Sequence, residues 1–84
     1  MQSWITKALD LRKMPPQLAR SAAAERAADT EVGSSFWMID DHEPVEICQL
    51  LGEMGFAIQT FIYSETEYRV FAGNCRPISN LNQS

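Results

Sequence analysis

The stretch SFWMIDDHEPVEICQLLGEMGFAIQTFIY, residues 35–63, decides the fold. Its first six residues, Ser35 to Asp40, carry large apolar side chains on both faces and read as a strand. From His42 the pattern changes. Ile47, Leu50, Leu51 and Met54 recur at helical spacing, with Val45 and Cys48 beside them. Pro44 suits the first helical position, which makes Glu43 the cap residue and Glu46 the third helical residue, with Asp41 as a second capping acceptor. Gly55 supplies a left-handed C-terminal cap, and Phe56 can pack back on the last turn. FAIQTFIY then reads as another strand. One continuous stretch is therefore strand, helix, strand.

Working outward, SETE is a polar turn and YRVFA a further strand, so the last two strands form an antiparallel hairpin. Upstream, DTEVGSS is a loop with a glycine at its centre. QLARSAAAERAAD is rich in good helix formers, with Leu18, Ala19, Ala22, Ala23 and Ala27 as its inner face. Before it, Ile5, Lys7, Leu9 and Leu11 alternate with Thr6, Ala8 and Asp10, giving a strand that is most secure from Ile5 to Leu11. Pro15 and Pro16 stop that strand, and either suits a first helical turn. From Gly73 the periodicity ends. The expected organisation is one domain over residues 1–73 and a flexible C-terminal tail over 74–84.

The order is β-α-β-α-β-β. The expected fold class is an α+β two-layer sandwich, a mixed four-stranded sheet with two helices on one face. Strand–helix–strand units with parallel strands are almost always right-handed. Both strand-to-helix junctions, RKMPP and DDHEP, then lie at one end of the domain, and both helix N-termini face that end. Ligands of open α/β sheets bind outside the carboxyl ends of parallel strands, so a site is expected there. The uncovered sheet face would carry some of Trp4, Phe36 or Trp37, Phe61 and Tyr63, either as a partner surface open to homodimerisation or as residues that the tail covers or that are merely scattered surface aromatics.

Composition narrows the function. The 84 residues, 45% hydrophobic and 10% aromatic, suffice for one small core. The net charge of −4 argues against general nucleic-acid binding. The longest apolar run, FWMI, is far short of the roughly 20 residues of a membrane span. The opening MQSWITKALDLRK lacks the features of a secretory signal. These points lead to the expectation of a cytoplasmic protein that spans no membrane. Cys48 and Cys75 form neither a disulfide framework nor a zinc set. Cys48 falls on an apolar helix face and reads as an inert thiol.

The chemistry-bearing residues cluster at the junctions. Arg12 and Lys13 stand beside Pro15 and Pro16, and His42 stands beside Glu43 and Pro44. The two cations, the histidine and two helix starts make an anion or partner site, against which Asp10, Asp40, Asp41 and Glu43 offer competing ion pairs. His42 titrates near neutral pH and would add a pH-dependent contact. Asp40, Asp41, His42 and Glu43 could each ligate a metal, but neighbouring residues diverge and no second histidine or cysteine pair completes a sphere. No metal and no cofactor are expected. There is no glycine-rich phosphate loop and no nucleophile with a base, so the reading leans away from an enzyme.

Two of these segments, LDLRKMPPQLA and DDHEPVEICQLL, followed by GFAIQTFIYSETEYRVF, resemble domain-of-unknown-function family 2249. That family shows an early Leu-Asp-x-Arg with prolines a few residues on, then a His-x-Pro turn leading into a helix. Leu9, Asp10, Arg12, Pro15, Pro16, His42 and Pro44 match, and the resemblance spans about residues 8–72. The family is similar to the TusA/SirA sulfur carriers, so the resemblance implies their two-layer fold. In those carriers a Cys-Pro-x-Pro motif opens the first helix, where its thiolate carries a persulfide. Here the matching stretch is Met14-Pro15-Pro16-Gln17, and a thioether cannot form a persulfide. Neither Cys48 nor Cys75 matches the position. The departure removes the sulfur-relay role, and the reading of the residues leads to the expectation of a binding or interaction module on this fold, with a protein partner or a small anionic ligand. The alternative is an accessory protein in sulfur or redox metabolism, in nitrogen-oxide or iron-related settings, without its own persulfide cysteine.

Overall fold

The structure is a computed structural model and describes residues 8–76. Its elements run β1 (Leu9–Asp10), α1 (Pro16–Ala28), β2 (Ser35–Asp40), α2 (Val45–Glu53), β3 (Phe56–Ser64) and β4 (Glu67–Asn74). The sheet order is β1-β2-β4-β3. β1 pairs parallel to β2, whereas β4 lies antiparallel to both β2 and β3. The fold is the expected α+β sandwich, a mixed four-stranded sheet with two helices. The late hairpin forms, and its second strand enters the middle of the sheet.

Side-chain alternation sorts the sheet into two faces. Phe36, Met38, Val70, Ala72 and Phe56 meet both helices in one core. On α1 the core takes Ala19, Ala23 and Ala27, a stripe four residues apart. Leu18, expected on that face, is 57% exposed. Short alanines let α1 lie close to the sheet, and Leu18 falls about 100° round the helix from Ala19. α2 buries Ile47 and Leu51, with Cys48 and Met54 packed at the margin. Gly55 takes φ +97° just past α2, as its capping position requires, and Phe56 is buried.

The opposite face carries Trp37, Phe61 and Phe71. The Trp37 ring lies 5.7 Å from Phe61 and 5.4 Å from Phe71, centroid to centroid. Arg69 stacks on Tyr63 at 3.6 Å. Phe36, the other choice for this face, instead meets Phe56 edge-on within the core. Trp4 and the Ile5–Lys7 part of the first strand lie outside the described residues.

β4 runs to Asn74, so Gly73 and Asn74 belong to the sheet rather than to a tail. The buried Asn74 amide donates to the Thr30 carbonyl at 2.8 Å, and its Oδ1 accepts from the Arg76 N–H at 3.1 Å. The Asn74 carbonyl also accepts from Gly33 N–H. These bonds fasten the end of β4 to the loop between α1 and β2.

Candidate functional site

The parallel pairing of β1 and β2 brings the two strand-to-helix junctions side by side. The Leu11 N–H continues the ladder by donating to the Ile39 carbonyl at 2.8 Å. Past this bond both chains turn towards their helices, and a cleft of about 500 Å³ opens between them. The first junction lines it with Leu11, Arg12, Met14 and Pro16, and α1 adds Ala19 and Arg20. The second lines it with Asp40, Asp41, His42 and Pro44, and α2 adds Glu46 and Ile47. Neither helix carries a side-chain cap. Pro16 has no N–H and Val45 N–H donates to the Glu43 carbonyl, so no side chain among the described residues caps the remaining first-turn N–H groups.

Each cation in the cleft has a carboxylate. Arg12 folds back on Asp10, with Nε to Oδ1 at 2.9 Å, Nη2 to Oδ2 at 2.8 Å and its backbone N–H on Oδ1 at 3.0 Å. This charge-assisted fork lowers the Asp10 carboxyl to about 2. Arg20 reaches from α1 to Glu46 on α2 at 3.1 Å. His42 Nδ1 lies 2.7 Å from Asp41 Oδ1 and 3.4 Å from Asp40 Oδ1. The hydrogen bond to Asp41 raises the histidine above its ordinary value and holds Asp41 below the usual carboxylate range.

Asp40 is the buried member, at 4% exposure. Burial pushes its carboxyl up, against the pull of the Asp41 N–H, which donates to Oδ1 at 2.8 Å. Asp40, Asp41 and His42 bring one ligand atom each within 4.8 Å of one another, so this trio could hold a metal ion. They are consecutive residues, and Asp41 and His42 already hydrogen-bond to each other. An ion held through Nδ1 would have to replace that bond, whereas one held through Nε2 would leave Asp41 orienting the ring.

Of the residues expected at this site, Arg12, Pro16, His42 and Pro44 line the cleft. Lys13, Pro15 and Glu43 are exposed beside it and do not line it. The capping scheme differs from expectation. Pro44 is itself the cap residue of α2, and neither Glu43 nor Asp41 gives a capping hydrogen bond. Asp41 instead holds His42. Arg20 and Glu46 were not expected here. Arg20 is four residues after Pro16, on the same helix face, and helical spacing was the signal that could have found it.

The thiols lie elsewhere. Cys48 is half-buried, and burial pushes its thiol up. Cys75 is exposed beyond β4. Met14 lines the cleft and packs against the core with its thioether.

Comparison with known proteins gives no match: no protein-family model, no curated protein and no solved structure corresponds to this chain.

Proposed function

We propose that this chain is a small non-catalytic binding module whose ligand occupies the cleft between the two strand-to-helix junctions. One observation carries the reading: two segments some thirty residues apart converge on a single concave site lined by His42, Arg12, Arg20 and the buried Asp40. The ligand is small and carries an acidic group together with a hydrogen-bond donor. Its acid meets His42 and one arginine, and its donor meets the carboxylates those cations release. A bare inorganic anion fits less well, because each of the three cations already holds a carboxylate within 3.1 Å. Protonation of His42 strengthens the contact, so binding weakens as the pH rises through the raised histidine value.

The match of Leu9, Asp10, Arg12, Pro15, Pro16, His42 and Pro44 to domain-of-unknown-function family 2249 supports placing the chain beside the TusA/SirA carriers, as part of the same proposal. The accessory role in sulfur or redox metabolism has less behind it. Burial disfavours the Cys48 thiolate, and Met14 stands where the carriers have their cysteine. No helix among the described residues is long and apolar enough to cross a membrane. The two free thiols fit a reducing compartment, which supports a cytoplasmic setting.

The test is an NMR titration of the His42 ring and the amides of residues 11–16 and 40–47 with glutamate, succinate, phosphate and sulfate. Glutamate should shift both segments together, more strongly at pH 6 than at pH 8, and an R20Q variant should weaken the response. If no compound moves both segments, the binding reading is overturned.

A further inference from the structure

β3 closes one side of the sheet, and no strand among the described residues pairs with its outer edge. The direction of its backbone groups follows from the register. Cys75 N–H donates to the Gly55 carbonyl, and the ladder continues from Phe56 opposite Asn74. In an antiparallel pair, bonded and non-bonded positions alternate. Ala57, Gln59 and Phe61 therefore point their N–H and C=O groups at β4. Phe56, Ile58, Thr60 and Ile62 point theirs outward. The Asn74 N–H bond to Ser34 on the other side of β4 obeys the same alternation.

This edge lacks the usual protections. FAIQTFIYS contains no charged residue and no proline over nine residues. The irregularity in its register falls between Ile62 and Ser64, at the turn end, and leaves Phe56–Ile62 regular. Ile62 lies on the helix-bearing face yet is 68% exposed.

We propose that β3 pairs antiparallel with β3 of a second copy of this chain, about a two-fold axis through Thr60, to form one continuous eight-stranded sheet. The strand's own sequence selects this occupant. An axis at Thr60, the midpoint of Phe56–Ser64, pairs the regular stretch Ile58–Ile62 with itself. It sets outward-facing backbone groups against outward-facing ones. Ile62 comes opposite the partly buried Ile58 of the second copy, which covers the exposed side chain. On the other face Phe61 comes opposite Gln59. No like charges meet, as they would if a charged strand paired with itself. The helices of both copies lie on one face, and the two aromatic strips become neighbours on the other.

The experiment joins sedimentation across concentration with amide exchange of the same samples. The expected result is a dimer in which the Ile58, Thr60 and Ile62 amides gain protection as concentration rises, while those of Ala57, Gln59 and Phe61 do not change. Ile62→Glu substitutes a side chain already exposed in the single chain, so its fold is kept. It should raise the dissociation constant by more than about tenfold, because dimerisation would bury an unpaired charge. Thr60→Pro removes an outward N–H without touching the ladder to β4, and should likewise yield monomer. A monomer at all concentrations overturns the proposal. So does a dimer without the alternating protection, or protection that does not depend on concentration.

Discussion

Asn74 and Asp41 are the two residues whose work is most local. Asn74 is 2% exposed, and each end of its side-chain amide has a partner. Asn74→Ala would strand the Thr30 carbonyl and the Arg76 N–H, at a cost of about 1–3 kcal/mol; urea unfolding of the two proteins measures it. Nothing in GNCRPISN distinguishes this asparagine from a polar tail, because its partners are backbone groups and leave no pattern in sequence. Asp41 acts through charge. The folded His42 value lies above the ordinary 6.5, so the pair's contribution to stability is full below that value and is lost as pH rises through the raised one. Asp41→Asn should bring the His42 titration, followed by ring proton shifts, back towards its ordinary range. An unchanged midpoint would show that Asp41 does not hold the ring. That His42 belongs to the cleft could be read from the order of elements. That it spends its Nδ1 on Asp41 could not, since side-chain rotation decides it.

At the scale of elements, α1 was recognisable from its alanines, and its inner face was legible in Ala19, Ala23 and Ala27 but not in Leu18. A run of alanines carries almost no amphipathic signal, so Leu18 looked like the natural inward residue. Close packing kept the i, i+4 stripe of Ala19, Ala23 and Ala27 from the expected face and left Leu18 outside it. Opposite outcomes follow for two substitutions on one helix. Ala23→Leu must force α1 off the sheet at about 1–3 kcal/mol, while Leu18→Gln should stay within about 0.5 kcal/mol of the parent. Thermal unfolding of both variants separates the two faces. For α2, Ile47 and Leu51 supply a clear apolar period, and its rotation was legible.

For the whole molecule, the succession of elements was written in the hydrophobic periods, and with it the end at which the cleft forms. The neighbours of each strand were not. A hairpin signal says that β3 and β4 touch, but not which of them then meets β2. β2 and β4 hold the centre of the sheet, with Met38, Val70 and Ala72 fully buried between ladders on both sides. Amide exchange should therefore be slowest in these two strands and fast in β1, whose two residues pair on one side only among the described residues. Comparable rates for β1 and β4 would contradict this reading.

The central place of β4 bears on the birth of the protein. A ribosome emits β2, α2 and β3 first, and Glu67–Asn74 last of the strands described. Until that segment emerges, β2 and β3 have no hydrogen-bonded neighbour between them, and each keeps a row of unmet backbone groups on the side that β4 will fill. The sheet cannot knit progressively from its N-terminal side; it closes in a single late event when β4 enters the gap. A nascent chain halted before Glu67 would hold both helices and most of the core residues but no continuous sheet. In such a chain the inner edges of β2 and β3 are open to pairing with foreign strands until Glu67–Asn74 fills the gap.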